Sequence, residues 1–152
     1  MMERNLAKAL AFALAAWASI AAGAASAQPA PYERWQGAYG GPPKAQALPI
    51  QSASDWKGIW AMFLPHDLPP PFDAARHMGL AVALGQKPST GYGIEVVEVG
   101  PREGHFVIQL REIGPGDQAA GQAVTSPWVI LRFARTNMPL KVEGIAVAAR
   151  KR

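Results

Sequence analysis

The sequence contains no cysteine in its 152 residues. That excludes disulfides and thiol catalysis, and it excludes a lipid anchor carried on an acylated N-terminal cysteine. Any core must therefore hold itself together by packing alone. Charge is also sparse, at 17% of residues, with 15 basic against 11 acidic side chains and a formal net charge of +4. Arg4 and Lys8 against Glu3 account for one of those units. The remaining basic residues are scattered, apart from Arg150-Lys151-Arg152. So small a cluster reads as a solvated basic tail, and nucleic acid is not an expected partner. No internal repeat and no βαβ alternation is present.

Long apolar runs are missing too, with one exception. ALAFALAAWASIAAGA follows the short basic stretch MMERNLAK and precedes Ala25-Ser26-Ala27. The run falls short of the ~20 residues that a membrane span needs. A charged start, an apolar middle and an A-x-A step form the pattern of a secretory signal. The expectation is a signal peptide over residues 1–27, cleaved after Ala27, and a periplasmic or secreted protein with no membrane span and no lipid.

Catalytic patterns are absent as well. A phosphate loop needs Gly-x4-Gly-Lys followed by Ser or Thr at the start of a helix. Gly85 to Gly91 has the wrong spacing, Lys87 lies inside it, and a strand pattern follows. No Gly-x-Ser-x-Gly or Ser-x-x-Lys motif marks a hydrolase. His66, His77 and His105 are not spaced as metal ligands. Glu95, Glu98, Glu103 and Glu112 fall on outward positions of alternating segments, as a solvated face requires. The sequence therefore predicts a non-enzymatic protein with no cofactor and no metal site.

What is present is a patterned domain behind an irregular lead. Residues 28–51, rich in Pro, Gly, Ala and Gln, show no helical or strand period and read as a flexible linker. Tyr32, Trp35 and Tyr39 are unusual for a linker and suit docking on the domain or on a partner. Ser52 to Asp55 resembles a capping box. Trp56, Ile59, Trp60 and Phe63 then recur at helical spacing, which puts one apolar stripe on a helix. Burying it is worth several kcal/mol at ~25 cal/mol per Å². Pro65 and Pro69-Pro70-Pro71 end that helix.

From Met78 the period is two. Met78, Leu80, Val82 and Leu84 alternate with Gly79, Ala81 and Ala83, giving a bulky face and a small face that the helix can approach. Tyr92, Ile94 and Val96 continue the pattern, and a change of phase at Val97 and Val99 predicts a bulge. Gly100 to Gly104 reads as a hairpin turn. Further strands are expected at Phe106–Leu110, Trp128–Phe133 and Leu140–Ala148, the last weakened by Gly144. The short turns predict antiparallel neighbours. The expected fold is α+β, a small antiparallel sheet of about five strands with one packed N-terminal helix, over residues 52–149.

Two stretches carry a resemblance. The strand ending Leu84-Gly85-Gln86-Lys87-Pro88-Ser89-Thr90-Gly91-Tyr92, followed later by Thr125-Ser126-Pro127-Trp128, is similar to the PrcB C-terminal domain family. Its members have a strand ending in a Gly-x-Lys-Pro-Thr-Gly-Gly-Tyr turn and a downstream Thr-Ser-Pro-aromatic step. Here Ser89-Thr90 stands where Thr-Gly is usual. The family's named member is an exported, non-proteolytic subunit of a bacterial surface protease complex. The resemblance implies an accessory or protein-binding role, with another exported protein, a peptidase among the candidates, as partner. Pro88-Ser89-Thr90-Gly91-Tyr92 also resembles the Pro-Thr-Thr-Gly-Tyr loop of chagasin-type cysteine peptidase inhibitors. Pro127-Trp128 is similar to that family's Arg-Pro-Trp loop, with Ser126 in place of Arg.

Pro88 fixes φ and Gly91 allows positive φ, so Lys87 to Tyr92 is a shaped turn. Two readings stay open: a hairpin that stabilises the sheet, or, with Lys87, Pro88, Ser89, Thr90, Gly91 and Tyr92 beside Thr125, Ser126, Pro127 and Trp128, a surface that binds a partner.

Overall fold

The computed structural model describes residues 29–146, and the backbone of 148 and 149. The expected signal peptide and the basic tail at 150–152 lie outside the described residues. The chain runs β1 (Tyr32–Gly37), β2 (Ala45–Ile50), α1 (Ala53–Phe63), β3 (His77–Leu84), β4 (Gly93–Arg102), β5 (His105–Ile113), β6 (Trp128–Ala134), β7 (Leu140–Glu143) and β8 (Ala148–Ala149).

Helix α1 forms as its sequence dictates. Ser52 Oγ accepts from the Asp55 N–H at 3.0 Å, and Asp55 Oδ2 accepts from the Ser52 N–H at 3.1 Å, closing the capping box. Trp56, Ile59, Trp60 and Phe63 are the buried residues of the helix. They pack on Ala81 and Ala83, the small face of β3, together with Trp128 and Ile130 of β6. Trp56 Nε1 donates to the Pro70 carbonyl at 2.9 Å, which ties the proline run back across the helix.

The α+β class holds, but one sheet of about five strands does not. There are two sheets: β1-β6-β3-β2-β8 and β4-β5-β7. The bulky face of β3 is the reason. Met78, Leu80, Val82 and Leu84 meet Val129, Leu131 and Phe133 in one apolar layer, and Ile94, Val99, Phe106, Ile108 and Leu110 of the second sheet cover it. Helix, five-stranded sheet and three-stranded sheet thus stack as three layers, with a core on each side of the middle one. The bulge lies where the phase change puts it, in a register shift between Val96 and Glu98.

Residues 29–51, the described part of the expected linker, are not flexible coil. They contain β1 and β2, so the domain begins well before Ser52. β2 joins the core through Ala47, Leu48 and Ile50. Pro49 and the small alanines mask its alternation. β1 pairs with β6, and Trp35 sits edge-on to Trp56 and Trp60, with ring centroids 5.5 and 5.3 Å apart.

The single strand expected from Leu140 to Ala148 is instead two. Gly144 adopts φ +86°, and a Cβ there would collide with the Leu110 carbonyl oxygen. The chain turns at that point. β7 pairs with β5 and β8 pairs with β2, both in parallel. Sequential neighbours such as β4–β5 and β2–β3 are antiparallel; the parallel pairs join strands distant in sequence, which turn lengths do not report.

Candidate functional site

The two sequence motifs meet at one corner of the middle sheet. Lys87 and Thr125 form an antiparallel bridge. The Lys87 N–H donates to the Thr125 carbonyl at 2.8 Å, and the Thr125 N–H returns a bond to the Lys87 carbonyl at 3.0 Å. Thr125 Oγ1 donates to the Ser89 carbonyl at 2.8 Å. These bonds follow from β3 and β6 being paired neighbours, so that the loop leaving β3 and the loop entering β6 continue the ladder.

A third segment, 114–124, closes over the first. The Thr90 N–H donates to the Gly121 carbonyl at 3.0 Å, and Thr90 Oγ1 accepts from the Gly121 N–H at 2.7 Å. Gly91 adopts φ +90°, and a Cβ there would stand 2.8 Å from the Pro115 Cβ. Glycine at this position serves both the turn and the close approach of Pro115. Lys87 Nζ pairs with Glu112 at 2.6 Å and lies 5.4 Å from the centre of the Tyr92 ring.

Exposure divides the ten candidate residues. Thr125, Pro127 and Trp128 are buried. Trp128 is 4% exposed, its Nε1 donates to the Tyr39 carbonyl at 2.7 Å, and its ring meets Phe63 edge-on. Those three hold the corner from within. Pro88 and Gly91 are exposed, and Lys87, Ser89, Thr90, Tyr92 and Ser126 are half-buried.

A groove of about 340 Å³ runs beside the corner between Gln36–Ala38 and Gly91–Ile94. A recess of about 290 Å³ between Thr90, Gly91, Pro115 and Ala119 adjoins it, sharing Gly91 and Ile113. Sequence reasoning missed the contributions of 36–38 and 114–124. Neither stretch alternates, and only the glycines at 37, 40, 41, 114, 116 and 121 hint at shaped loops.

Three of the acids expected on a solvated face, Glu95, Glu98 and Glu112, hold cations. Arg111 pairs with Glu95, and Arg102 pairs with both Glu98 and Glu143. Lys141 at 3.0 Å, with Arg102, holds the Glu143 carboxyl below the usual carboxylate range, and Glu143 raises the Arg102 guanidinium. Among the described residues no group of three His, Asp or Glu side chains is placed to hold a metal ion.

No curated protein and no solved structure matches the chain. The family model described as PrcB C-terminal matches residues 78–134. That span runs from Met78 in β3 to the end of β6 and includes the turn at 87–92, the segment 114–124 and the step at 125–128; β1, β2, α1, β7 and β8 lie outside it, as do Gln36–Ala38. Over that segment, less than half of the chain, the protein is similar to the PrcB C-terminal domain family.

Proposed function

We propose that this protein is an exported, non-enzymatic accessory domain that binds another protein of the cell envelope as part of a protease complex, and that the corner around Pro88, Ser89, Thr90, Gly91 and Tyr92 is its contact surface. The family match over 78–134 supports an association with a protease complex. The observation that carries the contact surface is the bridge between Lys87 and Thr125. It fixes the backbone beneath Pro88 while leaving Pro88 and Gly91 exposed. A turn whose backbone is already fixed loses little conformational entropy on binding, which suits it to recognition. The apolar side chains of Ile113, 45% exposed, and Val124, 62% exposed, flank it.

The test is capture of envelope proteins by the mature domain and by Pro88→Glu, with folding checked by thermal melting. Loss of the captured protein with the melting temperature retained supports the reading. Equal capture by both proteins contradicts it.

One arrangement favours a second reading, a chagasin-like inhibitor of cysteine peptidases. The loops at 88–92 and 114–124 and the step at 126–128 gather at one end, with Thr90 bonded to Gly121. This reading predicts sub-micromolar inhibition of papain. A flat activity curve in excess protein removes it.

A further inference from the structure

β1 and β4 are both outer strands, one of each sheet, and they lie side by side. At one end the gap between them is closed, because the Ala30 N–H donates to the Val99 carbonyl at 2.8 Å. At the other end it opens into the 340 Å³ groove between Gln36–Ala38 and Gly91–Ile94. Ala30–Val99 is the one backbone bond between the two edges among the described residues.

The register shows what the gap lacks. Tyr32, Arg34 and Gln36 lie opposite Phe133, Leu131 and Val129. Those three partners are buried in the layer between the sheets. Residues directly opposite on paired strands share a face, so Tyr32, Arg34 and Gln36 face the second sheet, yet all three are exposed. The three-stranded sheet is one strand too narrow to cover β1.

Two further features mark the gap. Arg34 has no ionic partner among the described residues, whereas Glu33, Glu95, Glu98, Glu112 and Glu143 each hold a cation. Gly93 begins the open edge of β4, where a Cβ would meet no atom within 4 Å and the backbone is not left-handed. Nothing in the chain requires glycine at this first position of the strand, and glycine there leaves room for another backbone to approach.

We propose that the open edge of β4, from Gly93 to the bulge at Val97, accepts an extended acidic segment of a partner protein as a fourth strand beneath β1. A carboxylate of that segment meets Arg34, and an apolar side chain enters the groove over Ile94 and Trp128. Unpaired N–H and C=O groups along an outer strand are the complement of another extended backbone. Ala30 already uses this edge in that way and, with the bulge, ends the addition at Val97. The free stretch accommodates about five residues at roughly 3.3 Å each. The inference rests on the protein-binding reading above and names the kind of segment bound.

The probe is a capped, fluorescein-labelled peptide of about eight residues, alternating Thr with Val and carrying one Glu in place of an inner Val. A second peptide carries Lys in place of that Glu. The expected result is saturable anisotropy with the Glu peptide and protection of the β4 amides from hydrogen exchange. Arg34→Glu weakens the Glu peptide by about tenfold or more and binds the Lys peptide better than the wild type does. Gln36→Trp, which fills the groove, abolishes binding of both peptides. Arg34 and Gln36 are exposed, so both variants keep the wild-type melting temperature. Absence of saturation up to millimolar protein, or binding indifferent to both substitutions, overturns the proposal. An envelope protein lost by Pro88→Glu but retained by Arg34→Glu and Gln36→Trp leaves the protein-binding reading standing and removes the added strand alone.

Discussion

Thr125 Oγ1 donates to the carbonyl of Ser89 at 2.8 Å, across 36 residues of sequence. Thr125 is 2% exposed, the one buried polar residue among the described core positions, and its backbone is also bridged to Lys87. A buried hydroxyl is retained where it satisfies a specific acceptor. Here that acceptor lies inside the turn that the proposed function depends on. Thr125→Val keeps the shape and removes the donor, leaving the Ser89 carbonyl short of a partner. The expected cost is about 1 kcal/mol in urea unfolding, with faster hydrogen exchange at Thr90 and Gly121 than elsewhere in the sheet. Uniform exchange rates would show that the hydroxyl does not order the turn.

Trp128 and Tyr92 belong to the same corner and do different work. Trp128 is buried, bonded to the Tyr39 carbonyl and packed on Phe63. Trp128→Ala is expected to cost ~3–5 kcal/mol through lost contacts and a cavity. Tyr92 is half-buried under the Lys87 ammonium, and Tyr92→Ala is expected to cost about 1 kcal/mol. Denaturant midpoints of the two variants check this. Equal losses would mean that Tyr92 is a core residue and not a contact residue.

Much of this was legible in the sequence. The capping box, the Trp56 to Phe63 stripe, the two faces of β3 and the bulge near Val97 follow from local periodicity, and tertiary packing reinforces them. The juxtaposition of Lys87–Tyr92 with Thr125–Trp128 was expressible as a pair of motifs. The second sheet was not visible, because alternation reports that a strand has two faces and not what covers each one. β2 was hidden by Pro49 and three alanine or glutamine positions, although Leu48 and Ile50 are core. The split at Gly144 depends on the Leu110 carbonyl, a neighbour that no local window contains.

Gly144 gives the next prediction. Its φ of +86° and the Leu110 carbonyl oxygen against its Cα leave no room for a side chain. Gly144→Ala is expected to destabilise by more than ~1 kcal/mol and to loosen β7 from β5. Retained stability, measured by urea titration, would show that the crossing between the sheets is adaptable.

Glu143 makes stability depend on pH. Its folded carboxyl titrates below the usual range because Lys141 and Arg102 hold the charged form. A depressed carboxylate contributes stability that is fully present above its unfolded pKa, about 4.3, and that is lost as pH falls through the lower folded value. Wild type is therefore expected to exceed Glu143→Gln in stability at neutral pH, with the two curves meeting in acid. The side chains are partly exposed, so the gap is small and shrinks with added salt. A constant gap from pH 7 into acid would assign the effect to packing.

The most direct measurement of the corner's role is the affinity of a captured envelope protein for the wild type and for Pro88→Glu, read beside the melting temperature of each. The corner as contact surface predicts an affinity loss of about tenfold or more, near 1.4 kcal/mol, with the two melting curves superimposed. Unchanged affinity, or an affinity loss matched by unfolding, would reduce Lys87 to Tyr92 to a turn that only holds the sheet.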